Sequence, residues 1–508
     1  MNLRYFKLII SAIILAGFFY ITWIMIDPDI FWHLKVGQEI YTTGGIPHFD
    51  HFSHTMPYHA WVDHEALTEV WFYLMYSSGF WWILKIIFSL IISIPFIFWI
   101  YKSNNYFLPV VILFSSIYLL GIAGVRPQWI SFLLFFVVFQ ILLQKYWHKK
   151  NNKSFYFLPL IFLVWANLHA GFFMGLMTFG FLVMMNLFQN RNINQEIRPI
   201  IILGLSTIVT LINPYGWHIY EEIFKVATSS STLKYIAEWQ PVFTTPDLSL
   251  VLFGGVFISF ILIFKSYKKY PLPFLALSLI MFCMFLMSKR HGPLFFITSM
   301  PIIFNGFEII KNKIYVLRNN KPFSQTETNK ALSGVLILFI IALGSFGYKI
   351  LNYQVYKIPE NAVIFLKENK YGQKDLKLFN NYGWGGYLIW ETPEIKVFID
   401  GRMPHWQKNK ESAMSDYIKT VFNPETEEWK KVFNKYKINT VIMPANIYQQ
   451  EHISKYSIKK IENKIKTWLK TKETTKNKTL VGILKENGWS TSYQDDVAIV
   501  LECEKDCY

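Results

Sequence analysis

The sequence predicts a polytopic α-helical membrane protein with about eleven transmembrane helices and a C-terminal extracytoplasmic α/β domain. Three observations predict it. The 508 residues are 53% hydrophobic and 17% charged, where soluble domains average about 45–50% and about 25%. The apolar excess falls in runs of about 17–25 residues, the length that crosses a hydrocarbon core about 30 Å thick. From residue 350 onward those runs give way to alternating strand and helix patterns.

Spans are expected near residues 6–26, 81–100, 107–122, 129–146, 155–169, 172–189, 199–212, 248–265, 271–287, 292–309 and 331–349. The first has the basic flank of a signal peptide, "MNLRYFK", but its apolar stretch is too long for one and no small-residue cleavage site follows. It is therefore read as a retained span. The loops "QKYWHKKNNKS", "KSYKKY" and "KNKIYVLRNNK" are basic and alternate along the chain, which places them in the cytoplasm. The net charge of +16 reports this topology, and nucleic acid is not an expected partner. An odd number of spans puts the C-terminus outside. The expected division is thus a membrane domain, 1–349, carrying a first outer loop, 27–80, and an extracytoplasmic domain, 350–508. The latter has strand patterns in "LKLFN", "KVFID", "NTVIM" and "VAIVLE" and helix patterns in "ESAMSDYIKTVF", "EEWKKVFNKYK" and "SIKKIENKIKTWLK". Cys503 and Cys507 offer a disulfide that would staple only the tail, while Cys283 lies in a span.

Informative residues gather on the expected outer side. "DPDIFWHLKVGQEI" begins there at Asp27, directly after the first span. It continues as a short amphipathic helix closed by Gly44–Gly45, and "HEALTEVWFYLMYSSG" reads as a second. Two such interfacial helices would seat Asp27 and Asp29 at headgroup level, where a carboxylate can act as a general base. The plain alternative is a helix end meeting water, since Asp27-Pro28 favours a turn. Asp29 is preferred, because it lies one helical turn from His33.

Only seven of the fifty basic residues are Arg. Arg126, Arg290 and Arg402 stand on the outer side, where topology does not require them. The guanidinium fork suits phosphate oxygens, so Arg290 and Arg126 are candidates to hold a lipid phosphate, with snorkelling anchors as the alternative. Arg402 in "FIDGR" is expected to pair with Asp400 or another acid. Six of the twelve histidines, His33, His48, His51, His54, His59 and His64, crowd the first outer loop. They match no fixed metal spacing, and no cofactor is expected. A divalent ion such as Zn²⁺ is the alternative they leave open. His64–Glu65 is not an HExxH pair, because Thr68 takes the second histidine's place. The glycines of "YGWGGYLIW" fit either a sugar-binding surface with Trp384 or a tight strand-to-helix turn.

Together these residues carry a resemblance. Asp27, Asp29, Trp32, His33 and Leu34 are followed by Pro47, Asp50, Ser53 and Thr55, then by Trp61, Val62, His64 and Glu65. "RPQ" (Arg126 to Gln128), "NLHAG" (Asn167 to Gly171), "NPYG" (Asn213 to Gly216), "EW" (Glu238, Trp239), "NNYGWGGYLIW" and "FIDGR" come after them in order. The chain resembles the GT-C superfamily of polytopic glycosyltransferases, and within it a large bacterial branch. His48, His51, His54 and His59 lie outside that pattern. The resemblance implies a polyprenyl-phosphate-linked sugar donor and a glycan or other cell-envelope acceptor. It also implies a site at the outer face of the cytoplasmic membrane. Asp29, Asp27 and His33 would be catalytic. Arg126, Arg290, His291, His64, Glu65, His169, Glu238 and Trp384 would bind substrate. Two rivals stand beside it. A lipid-linked-sugar flippase would carry charges at mid-membrane and internal repeats, neither of which is visible in the sequence. A non-catalytic scaffold with a glycan-binding outer domain would tolerate loss of the outer acids.

Overall fold

The structure, a computed structural model, describes residues 2–120, 123–150, 152–191, 193–242, 270–317, 334, 357–370, 375–408, 411–445 and 479–503. Its helices are α1 (Leu3–Ile24), α2 (Ile30–Thr43), α3 (Ala66–Ser77), α4 (Trp81–Lys102), α5 (Phe107–Leu120), α6 (Gln128–Leu142) and α7 (Leu158–Leu168). Then follow α8 (Phe172–Asn190), α9 (Ile193–Val209), α10 (His218–Thr228), α11 (Ser230–Tyr235), α12 (Leu272–Met287), α13 (Gly292–Leu317) and α14 (Glu360–Lys370). The last are α15 (Gly385–Glu391), α16 (Ala413–Phe422), α17 (Glu428–Tyr436) and α18 (Leu480–Glu486). Four strands are β1 (Leu378–Asn380), β2 (Thr440–Pro444), β3 (Ser490–Gln494) and β4 (Ala498–Glu502).

The chain forms two compact units, and they cut across the linear division at residue 350. One comprises 1–27, 64–219 and 238–355, and the other 28–63, 220–237 and 356–508. The expected spans 248–265 and 331–349, the helix expected at "SIKKIENKIKTWLK" and Cys507 lie outside the described residues. Each other expected span coincides with a helix.

The first unit is an apolar helical bundle. Among the described residues, Leu3–Ile24, Trp81–Lys102, Gln128–Trp147 and Phe172–Asn190 are long and apolar enough to cross a membrane. Leu108–Leu120, Lys153–Leu168 and Leu272–Met287 are shorter apolar helices. Inner faces meet through aromatic side chains such as Phe88, Phe96, Phe139, Phe162 and Phe179, all fully buried. Outer faces expose Leu8, Ile94, Met184, Phe188, Ile201 and Ile208. Apolar exposure on this scale is costly in water and costless in lipid. Together with its fold, described below, this makes the chain a multi-pass membrane protein.

The second unit is built around a four-stranded sheet of order β1-β2-β4-β3. β1 and β2 are parallel and the other pairs antiparallel. β2 is buried at every residue, as a central strand covered on both faces should be. β3 is an exposed polar edge, "STSYQ", and its lack of alternation hid it from the sequence. It joins β4 through Asp495, whose carboxylate accepts the Val497 and Ala498 amides at 2.8 and 2.7 Å.

"KVFID" is not the expected strand. Val397 makes a single parallel bridge to Ser53, and Asn380 replaces a neighbouring strand for the rest. Its Oδ1 accepts the Phe398 and Ile399 amides, and its Nδ2 donates to the Ile399 carbonyl at 2.8 Å. Residues of the early segment complete this core: Trp32, Val36, Phe52, Met56 and Trp61 pack with Phe379, Leu388, Phe398 and Trp406.

Candidate active site

In the first unit, one end of the bundle collects the polar residues that the sequence singled out. Asp27 follows α1, and its carboxylate pairs with Arg126 Nε. Arg126 Nη1 pairs with Glu238. Arg126, expected to hold a phosphate, is thus held between two carboxylates. Burial opposes the ionisation of Glu238, but Arg126 and then Arg290 more than offset it and hold its carboxyl below the usual range. The Ser288–Gly292 turn is fastened alongside. Lys289 N–H donates to the Gln240 carbonyl at 3.1 Å. Ser288 Oγ donates to the Glu238 carbonyl at 3.3 Å, and Tyr118 Oη to the Lys289 carbonyl at 3.0 Å. A Cβ on Gly292 would come within 2.7 Å of the Tyr118 ring, so the turn has room for glycine alone. Arg290 lies over the Trp239 ring, 5.0 Å from its centroid. Burial, then the Arg290 charge, push His291 down to about 4, so it is neutral at physiological pH. Burial alone brings Lys289 down to about 8.

A second cluster in the same unit joins His64, Glu65 and His169, whose ligating atoms lie within 4.8 Å of one another. His169 Nε2 is 3.2 Å from Glu65 Oε1, and His64 Nε2 is 3.7 Å from the same oxygen. "NPYG" is a turn closed on itself. Asn213 Oδ1 accepts the Tyr215 amide at 2.8 Å, Asn213 Nδ2 donates to the Gly216 carbonyl, and Gly216 takes φ +56°.

In the second unit the "DPD", "WGGY" and "FIDGR" motifs meet. Asp29 is the N-cap of α2 without capping it through its side chain, and His33 N–H donates to the Asp29 carbonyl at 3.2 Å. α2 ends at Gly44, φ +70°, as expected. The Asp29 carboxylate rests directly on Gly401, where any Cβ would collide with it. A Cβ on Gly386 would stand 2.7 Å from the Pro28 carbonyl oxygen, and one on Gly385 2.7 Å from Asp400 Cα. These glycines therefore serve close packing at a strand-to-helix turn. Trp384 is buried in the core, its indole N–H donating to the Lys357 carbonyl at 3.2 Å, and it presents no face to a sugar.

Arg402 donates to Asp400 Oδ2 at 2.7 Å and to Asp50 Oδ1 at 2.9 Å, with all three side chains buried. Phe52, Trp61 and Trp406 surround its guanidinium, 4.9, 4.8 and 5.2 Å from their ring centroids. The paired acid expected for Arg402 is present, and Asp50 is a second that no local pattern announced. His54 Nε2 is bonded to the Leu378 carbonyl at 2.9 Å, and His51 Nε2 to Glu39. His59 stacks on Trp406, and His405 pairs with Glu222 at 2.6 Å. His51, His54 and His59, outside the resemblance, thus have structural partners.

No protein-family model matches the sequence, and no curated protein matches it. By structure, the chain is similar to the archaeal oligosaccharyltransferase AglB from Archaeoglobus fulgidus in complex with an inhibitory peptide and a dolichol-phosphate. The TM-score is 0.54 and the identity 11%, over 87% of this chain and 69% of that one. It is also similar to the Archaeoglobus fulgidus oligosaccharyltransferase tethered with an acceptor peptide containing the NVT sequon via a disulfide bond. There the TM-score is 0.53 and the identity 13%, over the same shares of each chain. The likeness shows a shared fold with these oligosaccharyltransferase structures.

Proposed function

We propose that this protein is a membrane glycosyltransferase that moves a sugar from a polyprenyl-phosphate-linked donor to an acceptor on the outer face of the cytoplasmic membrane. The observation that carries the reading is the likeness of fold to oligosaccharyltransferase structures, one in complex with a dolichol-phosphate and another tethered to an acceptor peptide. In this reading about eleven helices span the bilayer and residues 350–508 lie outside the cytoplasm. Asp29 deprotonates the acceptor hydroxyl. Asp27 is the second choice, since Arg126 already engages it. Arg290 and His291 meet the charge that develops on the departing phosphate. A single displacement of the phosphate inverts the sugar carbon. The acceptor is a glycan or another cell-envelope molecule.

The test is mass spectrometry of lipid-linked sugars and surface glycans in cells carrying wild type, Asp27→Asn or Asp29→Asn at equal protein levels. Accumulation of one lipid-linked sugar with loss of one surface decoration is the expected result for Asp29→Asn. Unchanged profiles in both variants sink the catalytic role of these acids and favour a scaffold.

A further inference from the structure

Two donors converge on His169 Nδ1. Gly171 N–H donates to it at 2.9 Å, and a backbone amide can only donate. Ser131 Oγ stands 2.7 Å from the same nitrogen. That oxygen already accepts the Trp165 indole N–H at 2.7 Å, which leaves its own hydrogen to point at Nδ1. An imidazole that accepts at Nδ1 carries its proton on Nε2. His169 Nε2 is the atom 3.2 Å from Glu65 Oε1.

The arrangement is over-determined. A Cβ on Gly171 would strike the Ser131 hydroxyl, and one on Gly175 would come within 2.6 Å of the Trp165 ring. Thr68 Oγ1 donates to the Leu168 carbonyl at 2.7 Å, which fastens α3, beginning just after Glu65, to the end of α7. Three helices and two glycines thus hold the ring in one orientation, with Nε2 beside one carboxylate.

We propose that Glu65 accepts a hydroxyl of the sugar substrate, and that His169 is its positioning residue, locked as the neutral Nε2–H tautomer. This rests on the transferase reading. A neutral imidazole beside Glu65 adds no positive charge to cancel that of the carboxylate. Glu65 sits at the N-cap of α3, where the helix dipole favours negative charge. The same tautomer opposes a metal at His64, Glu65 and His169. A metal on Nε2 would drive the proton onto Nδ1, against the Gly171 N–H.

The first test is NMR of the full chain, labelled with ¹⁵N-histidine in lipid vesicles, with His169→Gln assigning the signals by their loss. A bare Nδ1 and a protonated Nε2 are expected at about pH 7.5, unchanged by added Zn²⁺. An Nδ1-protonated ring, an imidazolium, or a Zn²⁺-induced shift at Nε2 overturns the proposal. The second test is the lipid-linked sugar and glycan profile. Glu65→Gln should abolish the product, and His169→Phe should lower it roughly 10- to 100-fold. His169→Gln, whose amide can still donate, should restore most of it. Full product from Glu65→Gln beside loss in Asp29→Asn refutes the Glu65 role and leaves the transferase standing. Unchanged profiles in every variant, Asp29→Asn included, remove both.

Discussion

Arg402 shows how much one buried charge can hold together. Its side chain is 1% exposed, and Asp50 and Asp400, both wholly buried, flank it. Burial opposes the Arg402 charge, but Asp400 and then Asp50 outweigh that and raise its pKa further. Arg402→Ala strands two buried carboxylates and should destabilise the second unit by about 3–5 kcal/mol. Arg402→Lys should rescue little, because a point charge cannot replace the fork that reaches both acids. Thermal unfolding followed by tryptophan fluorescence checks both. His54 supplies a pH dependence. Burial pushes it down to about 4 from 6.5, against a smaller opposing effect of its bond to the Leu378 carbonyl. Its contribution is therefore complete above pH 6.5 and lost as pH falls from 6.5 toward 4. His51, raised mainly by its bond to Glu39, works the other way but is half-exposed. The melting temperature of wild type should fall in that acid window more steeply than that of His54→Gln, which keeps a donor for Leu378. The sequence made Arg402 legible as the partner of Asp400, two residues away. Asp50, some 350 residues distant, was a motif residue without a visible partner, since no local periodicity encodes a long-range ion pair.

Elements were legible where a periodic face and a stop signal coincided. α2 and α3 follow the expected amphipathic stretches, and Gly44 ends α2 with the left-handed φ that glycine permits. β3 and the "KVFID" segment were not legible. One is a polar edge with no alternation, and the other satisfies its backbone through the Asn380 side chain. The glycines of α15 were legible as a close approach, and only the structure shows to what. Gly386 faces the Pro28 carbonyl oxygen, a backbone atom that cannot swing aside. Gly386→Ala should therefore push α15 from α2 and cost about 1–3 kcal/mol, measurable as a lowered denaturation midpoint. Gly401→Ala should act differently, by displacing the Asp29 carboxylate. It should lower product formation more than stability, which the glycan profile and the melting temperature read separately.

At the scale of the whole molecule, the membrane character was plain from apolar run lengths, whereas the composition of the second unit was not. Its core takes Trp32, Val36, Phe52, Met56 and Trp61 from the segment before residue 64. Hydropathy sees that segment only as a loop between spans. Residues 350–508 expressed alone should not fold, because the apolar faces that those five side chains cover would stand open. Proteolysis and circular dichroism should show a loose chain. Supplying 28–63 by fusion should restore protection if the loss is one of packing.

That discontinuity sets a clock on biosynthesis. Residues 28–63 are translated early, while the strands that will cover Trp32, Phe52 and Trp61 begin only at Leu378. At ~5–20 residues per second the gap of roughly 300 residues lasts ~15–60 s. Throughout that interval a nascent segment with three tryptophan-sized or phenylalanine-sized apolar groups must wait without its partner. The ribosome will have delivered most of the membrane bundle before the early segment can close, so the last chain stretch to be made decides when the first becomes native.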